Sequence, residues 1–80
     1  MNLEIVTPDS KVYEGEITSI ALPGIDGSFQ ILNNHAPIVS ALGTGKMTVI
    51  DIESQTQEYN ISGGVVEMNN NKVIVLAESI

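Results

Sequence analysis

The chain has 80 residues, 42% of them hydrophobic, with no cysteine and three lysines, no arginine and ten carboxylates, for a formal charge of −7. This length holds one mainly aliphatic core, because only Tyr13, Phe29 and Tyr59 are aromatic. The absence of cysteine excludes disulfides, thiolate zinc sites and cysteine nucleophiles. The acidic balance, with no guanidinium fork, argues against nucleic acid as a partner. No run approaches the roughly 20 apolar residues of a membrane span, and Met1-Asn2-Leu3-Glu4 lacks the basic start of a secretory signal. The expectation is a soluble cytoplasmic protein with no direct membrane insertion.

In chain order, Leu3 to Thr7 and Glu16 to Leu22 are rich in β-branched and aliphatic residues and are predicted strands. Ile38 to Leu42 begins just after Pro37 and ends at Gly43, too short for a capped helix, and is read as strand or irregular. Met47 to Ile52 alternates Met47, Val49 and Asp51 with Thr48, Ile50 and Ile52. Gln55 to Ile61 follows the polar Glu53-Ser54, so the two segments form a predicted, largely solvated hairpin. Val65 to Met68 and Val73 to Ala77 flank Asn69-Asn70-Asn71, where asparagine tolerates positive φ. Val73-Ile74-Val75-Leu76 is apolar on both faces, which predicts a central strand. Turn residues every five to ten positions and no long helical pattern indicate an all-β flattened sandwich or barrel of two sheets.

Catalytic constellations are sparse. Gly43-Thr44-Gly45-Lys46-Met47 brushes against a phosphate loop, but Ser40 stands where the first glycine belongs and Met47 where the magnesium-binding hydroxyl belongs. A plain turn is the alternative reading. Lys46 also invites comparison with biotin or lipoyl carrier domains, which display a lysine at a hairpin tip, although Gly45 is neither the methionine nor the acidic residue such sites carry. His35, the only histidine, has no cysteine or paired carboxylate in the sequence around it to complete a zinc site. Ser40 or Ser62 with a distant aspartate lacks nucleophile-elbow spacing. Asn60-Ile61-Ser62 matches a glycosylation acceptor, a triplet that arises by chance and matters only in a secreted chain. No cofactor, metal or catalytic activity is expected.

The conspicuous segment runs from Pro23 to Ile38, where Ile25, Phe29, Ile31 and Ile38 alternate with turn residues around His35. Two readings stand side by side. Either the apolar residues enter the core and His35 holds a backbone carbonyl, or the segment is a recognition edge for another protein.

Pro23-Gly24-Ile25-Asp26-Gly27-Ser28-Phe29-Gln30-Ile31-Leu32-Asn33-Asn34-His35-Ala36-Pro37 resembles the P-G-x-x-G-x-F-G-I-L-P-N-H-A-P pattern of the epsilon subunits of F-type ATP synthases. Leu3 to Pro8 is similar to that family's opening strand and Val12-Tyr13-Glu14-Gly15-Glu16 to its V-F/Y-x-G-x element. Ser62 to Met68 and Asn71 to Glu78 are similar to its two closing stretches, so the resemblance covers nearly the whole chain in order. It implies a flattened β-sandwich of about ten short strands over residues 1–80, the family's N-terminal domain, without the two C-terminal helices many members carry. It also implies a non-catalytic rotor subunit of the central stalk, with the gamma subunit and the polar loops of the c-ring as partners. Such a subunit is peripheral at the cytoplasmic face of a bacterial inner membrane. By the resemblance, His35, Ala36, Pro37 and Ile38 face gamma, and Gly27, Ser28 and Phe29 lie near the c-ring loops.

Three positions depart from the pattern. Gln30 replaces a glycine, Asn33 replaces a proline, and Ser28 stands where many members have an acidic residue. A chain ending at Ile80 is further expected to lack the helices that in longer members obstruct rotation and, in some, bind ATP. The carrier domain and an unrelated β-sandwich binding module are the alternatives.

Overall fold

The computed structural model describes residues 1–80. It contains eight strands and no helix: β1 (Asn2–Val6), β2 (Lys11–Gly24), β3 (Gly27–Leu32), β4 (Ile38–Leu42), β5 (Gly45–Asp51), β6 (Thr56–Ile61), β7 (Gly64–Asn69) and β8 (Lys72–Ala77). The all-β class is as expected, and the count falls below ten because one strand does the work of two. β2 is 14 residues long. Its first half pairs antiparallel with β1, and its second half lies between β3 and β5.

Gly15 sits inside β2 opposite Leu3, although the predicted strand began only at Glu16. A Cβ at Gly15 would come within 3.0 Å of the Tyr13 hydroxyl, so the glycine makes room for a neighbouring ring and turns nothing. The slip in register between Ile17 and Ser19 is a bulge, and bulges add the local twist that lets one strand pass between layers.

One layer is β1-β8-β7-β4, and the other is β3-β2-β5-β6. They join where β2 pairs with β1 and, at its far end, where Gly24 meets Leu42. Hydrogen bonds from the Gly43 amide to the Pro23 carbonyl (2.7 Å) and from the Ile25 amide to the Ala41 carbonyl (3.2 Å) reinforce that second seam. Between the layers lie sixteen buried hydrophobic residues. Leu3, Ile5, Val66, Met68, Val73 and Val75 come from the first layer, and Ile20, Leu22, Ile31, Met47 and Val49 from the second. Alternation along each strand produces this sorting, since successive side chains point to opposite faces of a sheet.

β8 is central, between a parallel β1 and an antiparallel β7. Its two-sided apolarity has a different outcome from two-sided burial: Val73, Val75 and Ala77 are buried, whereas Leu76 is 53% exposed. β5 and β6 form the expected hairpin, and most of β6 is solvated. The β7–β8 connection is a two-residue turn in which Asn70 and Asn71 take φ of 51° and 58°. Positive φ at both central residues is the turn whose twist matches a hairpin.

Candidate functional site

The alternation that buries Val66, Met68, Val73 and Val75 sends their neighbours outward. On the outer face of the first layer, Ala41 of β4 lies opposite Val65 of β7, Val65 opposite Leu76 of β8, and Leu76 opposite Val6 of β1. One step along the strands, Val39, Glu67, Ile74 and Glu4 form a second row. Val39 is 69% exposed and Val65 41%. Solvated sheet faces are normally polar, so this row of aliphatic side chains crossing four strands is an uncovered apolar strip on the surface. Carboxylates rim it: Glu4 and Glu67 lie within the second row, and Glu78 lines a depression with Val6, Thr7, Val65 and Leu76.

The His35 segment continues this face. A turn closed by the His35 amide donating to the Leu32 carbonyl at 3.1 Å carries the chain from β3 to β4. His35, Ala36 and Pro37 are exposed and Ile38 half-buried, and Pro37, Ile38 and Val39 line a shallow depression with Glu67 and Asn69. His35 Nδ1 lies 2.7 Å from the Ala36 carbonyl oxygen, as the first of the two sequence readings expects. The ring engages a backbone carbonyl, and it does so at the surface.

Gly27 and Ser28 are exposed at the β2–β3 hairpin, Gly27 with a φ of 128°. Phe29 turns inward and packs against the core. Its ring lies against Gly24, where a Cβ would come within 2.8 Å of Phe29 Cε1. The Gly27–Phe29 and His35–Ile38 groups therefore occupy opposite ends of β3, whose six residues span about 20 Å. The structure does not bring them together into one site.

Chemistry is absent where the sequence hinted at it. Lys46 lies within β5, paired with Asn60, its Nζ 3.6 Å from Glu58. A carrier lysine needs a hairpin tip, so that reading fails on geometry, and the phosphate-loop reading fails because Gly45 opens a strand rather than a helix. Ser62 Oγ pairs with Ser79 Oγ at 2.8 Å and Ser40 Oγ donates to the Ala41 carbonyl; neither serine engages His35. No group of three or more potential metal-ligating side chains is assembled.

The sequence reading missed Val39, Ala41, Val65 and Leu76. The two-sided apolarity of Val73 to Leu76 was read as the mark of a central strand, and Ile38 to Leu42 only as strand or irregular, so no outward face was singled out.

The family model described as the ATP synthase delta/epsilon chain β-sandwich domain matches residues 1–80. The ATP synthase epsilon chain of Chlorobium limicola is 41% identical over 78 residues, which are 98% of this chain and 89% of that protein. The epsilon chain of Maridesulfovibrio salexigens is 47% identical over 76 residues, 95% of this chain but 53% of that relative. Among solved structures, a chain of the Euglena gracilis mitochondrial ATP synthase (OSCP/F1/c-ring) superposes with a TM-score of 0.91 at 22% identity, over 96% of this chain and 49% of its own length. A chain of the Tetrahymena thermophila mitochondrial ATP synthase central stalk and c-ring superposes with a TM-score of 0.80 at 16% identity, over 96% of this chain and 62% of its own. At such identities the structures establish the shared fold. The full-length family match, together with relatives above 40% identity, settles the lineage: this chain belongs to the ATP synthase delta/epsilon β-sandwich family.

Proposed function

We propose that this chain is a non-catalytic rotor subunit of an F-type ATP synthase, held in the central stalk by the gamma subunit and touching the polar loops of the c-ring. The observation that carries this reading is the aliphatic row Ala41-Val65-Leu76-Val6, which lies beside Val39 and the exposed His35-Ala36-Pro37 loop, with Ile38 opposite Met68 packed inward against the core and supporting that loop from below. This face is assigned to gamma. Gly27 and Ser28, at the opposite end of β3, are assigned to the c-ring loops, with Phe29 supporting the hairpin from the core. A rotor part needs two such surfaces on one stiff body, because torque passes between partners only when the packed surfaces stay in register. The β-ladders that join both layers through β2 supply that stiffness. The complex would sit at the membrane surface through its partners, and no helix here is long and apolar enough to cross a membrane.

Glu67 and Glu78 beside the apolar row favour a complementary surface on gamma that is aliphatic at its centre and basic at its edge, while Glu4 is already paired with Lys11. The test is titration of the purified chain with its cognate gamma subunit. Leu76→Asp places an unpaired charge in the middle of the contact and should weaken binding by at least about 30-fold, or 2 kcal/mol. Glu58→Gln, on β6 of the other layer, should bind as the parent does. Equal gamma affinity for a folded Leu76→Asp protein would remove the face from the interface.

A further inference from the structure

The Asn33 departure from the family pattern has a partner in space. Asn33 Oδ1 accepts a hydrogen bond from Asn71 Nδ2 at 3.1 Å, and Asn71 Oδ1 accepts one from the Asn34 amide at 2.8 Å. One carboxamide thus uses both ends on consecutive residues of the β3–β4 turn, 37 and 38 positions away in sequence. The Asn71 carbonyl accepts from the Asn2 amide at 3.1 Å, and Asn33 Oδ1 also lies 3.0 Å from the Met1 nitrogen. Asn71 itself is fixed, because it occupies a two-residue turn at φ 58° whose flanking residues Asn69 and Lys72 are paired across the ladder.

The geometry points to Asn71 as the positioning residue of the His35-Ala36-Pro37 loop: its side chain clamps Asn33 and Asn34 and thereby sets where the three following residues stand on the partner-binding face. A proline at position 33 would stiffen the turn through its ring. With asparagine there, stiffness comes from a cross-turn hydrogen-bond pair instead. Asn34 has a φ of 63°, a conformation asparagine tolerates and one that turns its amide toward the Asn71 carboxamide. The clamp holds it from outside the loop. Its importance for binding rests on the assignment of this loop to gamma, whereas the clamp itself does not.

The two parts separate experimentally. Asn71→Gly keeps a residue at ease with positive φ and deletes the carboxamide. In the full chain, amide hydrogen exchange at Asn34 should quicken by at least about fivefold, the loss of one net hydrogen bond, with shifted amide resonances at His35 and Ala36. Asn71→Asp, which retains an acceptor for the Asn34 amide, should restore its protection. Asn70→Gly, in the same turn but outside the clamp, should leave Asn34 as in the parent. Unchanged Asn34 exchange in Asn71→Gly overturns the proposal, and so does an equal effect from Asn70→Gly, which would mean that loosening the turn is sufficient. Gamma affinity is read on the same proteins. A several-fold loss in Asn71→Gly supports the clamp's role in binding. Faster exchange at unchanged affinity would leave the clamp standing and remove residues 35–37 from the gamma contact.

Discussion

Gly64 and Gly63 carry adjacent positive φ values of 150° and 140°, yet they should respond differently to substitution. A Cβ on Gly64 would overlap the Leu76 carbonyl oxygen and lie 3.0 Å from Ala77 Cα, whereas on Gly63 the nearest atom, at 3.0 Å, is the flexible Glu78 carboxylate. Gly64→Ala must therefore push β7 from β8 and is expected to cost about 3 kcal/mol, against about 1 kcal/mol for Gly63→Ala, in chemical denaturation. The clearest pH-sensitive group is Lys11, with Nζ 2.9 Å from Glu4 and 3.2 Å from Glu14. The Glu4 carboxyl is held below its usual value, chiefly by its hydrogen bond with Lys11. A carboxyl with a depressed folded pKa stabilises the fold above its unfolded value of 4.5, and that contribution is lost as pH falls through the lower folded value. Lys11→Met should thus flatten the decline in stability below pH 4.5, as followed by thermal melts. Sequence carried some of this and hid the rest. Gly63-Gly64 falls between the predicted strands Gln55 to Ile61 and Val65 to Met68, but the carbonyl that forbids a side chain at Gly64 comes from β8, and no local pattern discloses it.

At the scale of single elements, the β5–β6 hairpin turns on Asp51. Its Oδ1 accepts from the Glu53 and Gln55 amides, both at 2.9 Å, while Ser54 adopts a φ of 62°. Asp51→Ala leaves both donors to water and should destabilise the protein by about 1.5 kcal/mol. Ser54→Gly should be neutral or slightly stabilising, since glycine enters that conformation freely. The same hairpin brings Tyr59 toward Tyr13. Burial raises the phenol of each, and the Asp51 charge adds to the effect at Tyr13. A group whose folded pKa is raised contributes stability that is intact below the unfolded value of 10.0 and is lost as pH rises through the higher folded one. Ultraviolet titration should accordingly show both tyrosines ionising later than free tyrosine, with the Tyr59→Phe protein less sensitive to pH above 10. Elements were legible in proportion to their alternation. Val73 to Ala77 was placed to within one residue and Met47 to Ile52 to within two. Residues 27–32 were read as part of a turn-rich segment that either enters the core or forms a recognition edge, and only pairing with Ser19 to Gly24 makes them a strand.

For the whole molecule, the class and the lineage were visible in ordered motifs spread along the chain, whereas the aliphatic face was not. A surface assembled from residues 6, 39, 41, 65 and 76 exists only after four strands are laid side by side. The order of those strands bears on how the protein is made. β1 pairs in parallel with β8, so of these eight strands the first to be synthesised is flanked on one side by the eighth. Until residues 72–76 are synthesised, that side of β1 has no neighbour, and Leu3 and Ile5, wholly buried in the finished protein, lack part of their cover. Folding should then be concerted and delayed, in the millisecond-to-second range of domains dominated by distant contacts. Nascent chains arrested before β8 should remain protease-sensitive throughout, β1 and β2 included. Synthesis of β8 is the step that commits the domain, and a premature stop within residues 72–77 would cost the cell all of it.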